Sequence, residues 1–313
     1  MLAKGTAGIK RYDIVFVGHV AAGNILPYER SAFVLEGSPV LFSAIAASCI
    51  NKRLAVITRL AAEEEHLLQP FKEAGIDVYA QLAPVTTWLD VVYPSANVDE
   101  RQAVLMKSAG FFEIENIPSI EPCLIHLAGL TDQEFTIEFL KGLRELEFRL
   151  SLDMQSFVRQ TDDKTGVIHF KDVPGKQEIM GMIDILKLDA VEANILTGTD
   201  DLEEAAATLE SWGSPETVIT RADGALARRK GKNYFERFSN RGNEGRTGRG
   251  DTTFGAYLAR RIDHPVDESL RFAAALASIK METPGPFRGS LDDVLERMVI
   301  DYNAQTPADG HES

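Results

Sequence analysis

Short apolar, β-branched runs alternate along the chain with longer segments in which apolar residues recur at i, i+3 and i+4. The first pattern describes strands, the second helices that pack by one face. It predicts strands at Ile14–Val17, Leu54–Thr58, Cys123–Leu127, Phe148–Asp153, Ile183–Leu188 and Thr217–Thr220. It predicts helices at Val40–Cys49, Glu63–Ala74, Asp132–Arg144, Leu202–Ser211, Thr252–Arg261, Asp267–Met281 and Leu291–Ile300. Such alternation marks an α/β fold with a mainly parallel sheet. One region departs from it. Thr87–Tyr93 and Gln102–Lys107 read as adjacent strands joined by the turn-prone Pro94-Ser95-Ala96-Asn97, and a simple doubly wound sheet has no place for such a hairpin.

Composition narrows the function without naming it. A chain of 313 residues, 44% hydrophobic, can bury a substantial core in one large domain or two smaller ones. A net charge of −14 argues against nucleic-acid and anionic-membrane partners, which want a basic face. It still allows a nucleotide held by backbone amides, local basic residues and a metal. Cys49 and Cys123 are too few for a disulfide framework and indicate a reducing compartment. No apolar run has membrane-spanning length, and Met1-Leu2-Ala3-Lys4-Gly5-Thr6 lacks a signal-peptide core. A cytoplasmic location is expected, with a frayed polar tail from Thr306.

The candidate chemistry is concentrated at Gly245-Arg246-Thr247-Gly248-Arg249-Gly250-Asp251-Thr252, a glycine-dense turn running into an apolar helix. The free N–H groups and dipole of a helix start form an anion site, and glycines let the backbone approach a ligand. A carboxylate repels a phosphate, so Asp251 makes little sense for anion binding alone. It makes sense as a base that takes a hydroxyl proton while the helix end stabilises a phosphoryl group in transit. Asp251 as a simple helix cap is the plainer alternative.

Thr247-Gly248-Arg249-Gly250-Asp251-Thr252 resembles the C-terminal signature of the PfkB (ribokinase-like) small-molecule kinases, Asp-Thr-x-Gly-Ala-Gly-Asp, with Arg249 in place of alanine. The resemblance runs from about Ile14 to about Phe287. It implies one domain over 1–313, a ribokinase-like three-layer α/β/α fold with a mainly parallel sheet, and a small β lid from roughly 14–36 and 85–110. It also implies ATP and Mg²⁺ as cofactors and a small polyhydroxylated substrate (sugar, nucleoside or cyclic polyol). Asp251 is then the base, with the N–H groups of Arg249, Gly250 and Asp251 around the transferred group and Gly248 in the turn. A homodimer through the lid is expected, with Trp88 and Tyr93 as lid contacts.

The other site residues follow from the same resemblance. Asp189 to Glu192 is similar to the family's Asn-x-x-Glu motif, with Asp189 for asparagine, and places Glu192 at Mg²⁺ through water. The same spacing is also a capping box. Thr220 and Gly224 correspond to a strand end along the nucleotide phosphates, with Ala222 replacing a glycine; Ala275 and Ser278 fall in a small-residue helix beside the adenine. On the substrate side, Gly37 and Ser38 resemble a Gly-Gly turn, although Ser38 followed by Pro39 is equally a helix start. A substrate-gripping aspartate of the family is Gly23 here, which leaves Asn24, Asp153 and Arg159 as substitutes.

Other chemistries lack their motifs. The chain has no Walker-type Gly-x-x-x-x-Gly-Lys-Ser/Thr, no Cys-x-x-Cys, no Gly-x-Ser-x-Gly and no histidine pair at metal-ligand spacing. Gly18-His19-Val20-Ala21-Ala22-Gly23 is not a dinucleotide fingerprint. The rival to a kinase is therefore a ligand-binding or regulatory member of the same fold.

Overall fold

Runs that are apolar at every position become central strands, because only a sheet covered on both faces buries both sides of a strand. The computed structural model describes residues 9–95 and 102–305. Its strands are β1 (Ile14–Val17), β2 (Ala21–Leu26), β3 (Phe33–Glu36), β4 (Leu54–Leu60), β5 (Asp77–Leu82), β6 (Thr87–Val92), β7 (Gln102–Lys107), β8 (Leu124–Leu127), β9 (Arg149–Asp153), β10 (Arg159–Thr161), β11 (Ile168–Phe170), β12 (Ile185–Asp189), β13 (Glu216–Thr220), β14 (Gly224–Arg229) and β15 (Lys232–Arg237). Its α-helices are α1 (Pro39–Ser48), α2 (Gln69–Glu73), α3 (Ile137–Glu145), α4 (Gln155–Val158), α5 (Lys176–Met182), α6 (Ala190–Thr197), α7 (Leu202–Ser211), α8 (Arg249–Arg261), α9 (Val266–Met281) and α10 (Leu291–Gln305).

Nine strands form the main sheet in the order β15-β14-β13-β12-β9-β8-β1-β4-β5. Pairing is parallel from β13 to β5; β14 and β15 join antiparallel at one edge. Two apolar clusters cover its faces. One packs α1, α8 and α9 through Ala44, Phe254 and Leu276; the other packs α3 and α7 through Leu140 and Leu209. Because the central strands run in parallel, their C-terminal ends share one edge, where open α/β sheets bind ligands. Asp153, Asp189 and Thr220 all end strands there.

The chain leaves the main sheet twice to build a second one. Its four strands lie in the order β3-β2-β6-β7, with β2 and β6 parallel and the others antiparallel. The expected hairpin of β6 and β7 thus gains two partners from residues 21–36. Ala96 and Asn97 of its turn lie outside the described residues, as does the tail from Thr306.

Several boundaries differ from the sequence pattern. The helix expected over Glu63–Ala74 is a 3₁₀ segment, Ala62–Leu68, followed by the short α2. Pro70 carries no N–H for a continuous helix, and Glu64 leaves helical geometry at φ −102°. The helix expected from Asp132 begins five residues later, where the Thr136 side chain accepts from Phe139 N at 3.1 Å. Strands β5, β14 and β15 were not expected; β5 and β15 lie at the sheet edges, where mixed burial blurs the apolar signal. Among the described residues no helix is long and apolar enough to cross a membrane.

Candidate active site

A cavity of about 550 Å³ lies where the four-stranded sheet meets the C-terminal edge of the main sheet. Gly23 and Tyr93 line it from one side, Lys187 and Thr220 from the other. Two helix starts, Gly37–Ser38 of α1 and Gly248–Asp251 of α8, complete its wall. Two helix dipoles therefore present their positive ends to one space.

Close packing of α1 against α8 sets this arrangement. A Cβ on Gly255 of α8 would come within 2.1 Å of the Ser43 carbonyl oxygen of α1, so only glycine permits the approach. Phe42 fills the space between the helix starts. Gly248 caps α8 in the left-handed region, φ 76°, and a Cβ there would lie 2.4 Å from the Phe42 ring. On α1, Ser38 Oγ accepts from Leu41 N at 3.4 Å, and Pro39 occupies the first turn. Ser38 is thus a cap and a wall residue at once.

Helix α8 begins at Arg249, three residues earlier than the pattern suggests, which puts Asp251 inside the first turn. Gly248 holds the cap position, so the simple-cap reading of Asp251 fails. Arg249 N donates to Arg246 O at 3.2 Å and Thr252 N to Gly248 O at 2.9 Å. Arg249 N–H, expected to face a ligand, is therefore engaged. Among the described residues, no main-chain carbonyl accepts from Gly248, Gly250 or Asp251 N–H. The cradle is shifted, not lost.

Asp251 does not stand alone. Lys187 Nζ donates to Asp251 Oδ1 at 3.3 Å and to Asp153 Oδ2 at 2.6 Å. Burial opposes the charge on Lys187, but Asp153, Asp251 and Glu192 outweigh it and hold the ammonium's pKa above its ordinary value. Asp153, expected to touch substrate, is 1% exposed beneath Lys187 and is not part of the cavity wall. It reaches the cavity only through that lysine. The signal for Lys187 was in the sequence, a lysine inside an otherwise apolar strand, since buried lysines are rare unless paired.

Asp189 and Glu192 form the capping box: Asp189 Oδ1 accepts from Glu192 N, and Glu192 Oε2 from Asp189 N, each at 2.8 Å. The box uses half of each carboxylate. Glu192 is fully buried, and its Oε1 has no hydrogen-bond partner; Arg159 Nη2 lies 3.4 Å away. Burial, then Asp189, raises the pKa of Glu192. Asp189 and Arg159 both line the cavity. Among the described residues no cluster of three or more acidic, histidine or cysteine side chains is arranged as a metal cage. An orphaned carboxylate oxygen beside a wall aspartate suits Mg²⁺ in its usual form, held by one or two carboxylates, water and substrate phosphates.

Besides Asp153 and Glu192, four more expected site residues are not on the wall. Asn24 is tied to Asp90, whose Oδ1 accepts from Asn24 N at 2.9 Å and Nδ2 at 3.0 Å, and from Trp88 Nε1 at 2.8 Å. Its neighbours Gly23 and Ile25, on the other face of β2, line the cavity, as do Ala21 and Ala22 at the start of the strand. Gly224 is buried against β15, where a Cβ would meet the Glu236 carbonyl oxygen at 2.4 Å. Ala275 and Ser278 are inside α9; Ser278 Oγ donates to Ala274 O at 2.6 Å and accepts from Ser239 N at 2.8 Å. Asp251, Gly248, Arg249, Gly250, Asp189, Thr220, Gly37 and Ser38 do come together around one space.

Comparison with known proteins places the chain in a family. The pfkB family carbohydrate kinase pattern matches residues 150–292, the stretch from β9 through α9 that supplies Lys187 and Asp251. A pyrophosphate-dependent kinase in the ribokinase family, solved with a pyrophosphate analog and myo-inositol, is 30% identical, with a TM-score of 0.82 over 91% of this chain and 99% of that one. Ribokinase of Arabidopsis thaliana, solved with ribose and ATP, shares the fold at a TM-score of 0.71 and 18% identity, over 92% of this chain and 99% of that one. A cytidine kinase of Thermococcus kodakarensis is 22% identical over 215 residues, 67% of this chain and 73% of that protein. The chain belongs to the PfkB family of carbohydrate kinases, phosphotransferases of the sugar, nucleoside and inositol type that act on an alcohol group.

Proposed function

We propose that the protein transfers a phosphoryl group from ATP to a hydroxyl of a small polyol held under the lid, with Asp251 as general base. The observation that carries this reading is the position of Asp251. Its carboxylate lies in the first turn of α8, beside free N–H groups and 3.3 Å from the Lys187 ammonium. An acceptor hydroxyl at Asp251 loses its proton to the carboxylate as its oxygen attacks the terminal phosphorus of ATP, whose bond to the bridging oxygen breaks to release ADP. The N–H groups of Gly248, Gly250 and Asp251, with Lys187, stabilise the charge on the phosphoryl oxygens. Mg²⁺, when bound, neutralises donor charge; Asp189 and Glu192 would hold it. Asp153 keeps Lys187 charged and aimed. The β2–β3–β6–β7 sheet excludes water and so suppresses idle hydrolysis of the donor.

A second donor, inorganic pyrophosphate, is favoured by one observation. Ala275 and Ser278, the residues assigned to the adenine, are buried inside α9, whereas the cavity wall carries Arg159, Lys187, Arg246 and Arg249. This charge suits a compact polyanion that needs no base pocket. The pyrophosphate-dependent relative supports the same reading.

The deciding experiment measures acceptor phosphorylation with ATP–Mg²⁺ and with pyrophosphate–Mg²⁺, across inositols, pentoses, hexoses and nucleosides. An inositol is the first acceptor to try, given the myo-inositol in the relative. Asp251→Asn should keep donor affinity and lose turnover about 10²–10⁴-fold, the range for a general base. Near-normal turnover in that variant would remove Asp251 as base. For assembly, we propose a homodimer through the lid, whose Phe33, Val34 and Met106 are exposed. A monomer by light scattering at assay concentration would refute it.

A further inference from the structure

Behind the α8 loop lies a charged group that the chemistry above does not use. Lys280, in the last turn of α9, is 2% exposed. Its Nζ donates to the main-chain carbonyls of Gly245 and Thr247 and lies 4.8 Å from the centroid of the Phe42 ring. Among the described residues no carboxylate pairs with it. Two carbonyls and an aromatic face thus do the work that a salt bridge does for most buried lysines.

Its position relative to the loop gives that charge a purpose. Thr247 and Gly248 line the cavity, whereas Lys280 does not. In a trans peptide the C=O and N–H point in opposite directions. Drawing the Thr247 carbonyl onto Lys280 therefore turns the Gly248 N–H away from Lys280. The second carbonyl, Gly245 O, ties down the start of the same loop, and Gly245 N donates to Met281 O at 2.9 Å. Burial pushes the Lys280 amine down to about 8, with Asp251 opposing. A methionine would fill the space without that cost, so packing alone does not explain an ammonium here.

We propose that Lys280 is a positioning residue for phosphoryl transfer, a tethered cation that fixes the Gly245–Gly248 loop and adds positive potential behind the N–H cradle. The proposal rests on the reading of α8 as the donor-phosphate site. Lys280 touches neither donor nor acceptor; it acts through the loop carbonyls.

The test measures donor affinity by calorimetry, with ATP–Mg²⁺ and pyrophosphate–Mg²⁺ as separate probes, on wild type, Lys280→Gln, Lys280→Ala and Asp251→Asn. Glutamine keeps hydrogen-bond donors for the carbonyls and so guards against simple misfolding. It should weaken the preferred donor about 30-fold, the scale of one charge-assisted hydrogen bond, with a thermal midpoint near wild type. In Lys280→Ala, methylammonium should restore about 10-fold or more of the lost affinity by replacing the deleted charge-assisted bonds, where tetramethylammonium at equal ionic strength does not. Wild-type donor affinity in Lys280→Gln overturns the proposal, as does a folded Lys280→Ala that no amine rescues. Wild type that binds neither donor overturns both the α8 reading and this one. Normal turnover in Asp251→Asn with intact donor binding removes the base and leaves the Lys280 result standing.

Discussion

Phe42, Gly248 and Lys280 form one unit at the scale of single residues. The ring packs on Gly248, where no Cβ fits, and its face meets the ammonium that holds the loop. Gly248→Ala combines a disfavoured φ of 76° with a clash. We expect a loss of about 1–3 kcal/mol of stability and weaker donor binding; unchanged melting and affinity would show that the loop adapts. Lys280 also predicts opposite trends with pH. Its folded pKa, about 8, lies below the ordinary 10.5, so between these values the unfolded chain binds the extra proton. The Lys280 contribution to stability therefore rises with pH across that window, while donor affinity falls as the folded amine loses its charge. Asp251 is the charged group acting on Lys280 across the loop. Donor affinity that is flat from pH 7 to pH 9.5 would contradict the role. The motif around Asp251 was readable because glycines and an aspartate at fixed spacing are local. The burial of Lys187 could be read from its apolar strand, but its partners and those of Lys280 could not, since they lie 34 and 33 residues or more away.

Among the elements, the lid illustrates how pairing overrides local pattern. The β6–β7 hairpin could be read from alternation and turn chemistry, but its partner β2 pairs with β6 in parallel from more than sixty residues upstream. Gly23 makes that pairing possible, because a Cβ there would lie 1.7 Å from the Leu89 carbonyl oxygen. The departure at Gly23 thus has a structural cause: an aspartate would split the lid sheet, and the nearby Asp90 instead binds Asn24 and Trp88. Gly23→Ala should raise the acceptor KM about tenfold or more with the donor Kd little changed, as expected when uniform binding to one partner is lost. Equal loss for donor and acceptor would count against a lid over the acceptor alone. Helix boundaries were lost to similar effects. Pro70 broke one helix, and the left-handed cap at Gly248 started α8 early.

For the molecule as a whole, the central sheet carries a built-in sensitivity to acid. His126 lies within β8, edge-on to Phe16 and against Phe254, with Nδ1 3.2 Å from Ser151 Oγ. Burial, then Lys187, pushes its pKa down to about 3. Between the ordinary 6.5 and that value the unfolded chain takes up a proton that the folded chain refuses, so stability is lost as pH falls. The slope is at most about 1.4 kcal/mol per pH unit. His126→Gln keeps a polar partner for Ser151 without the titration, and its melting temperature should fall less between pH 7 and pH 5, by about 2–4 °C. An equal fall would place the acid sensitivity elsewhere. The sequence by itself determined the α/β class, the main parallel strands, the existence of an added hairpin, and Asp251 in its glycine-rich turn. All of these are written in contiguous residues, as periodicity or as short motifs. Only the tertiary structure decided that Asp153 lies behind Lys187, that Asn24 turns away, that Ala275 and Ser278 are buried inside a helix, and that Lys280 reaches under the loop. Those placements depend on which strands pair and which helices touch, and contacts between residues far apart in the chain leave no local pattern to read.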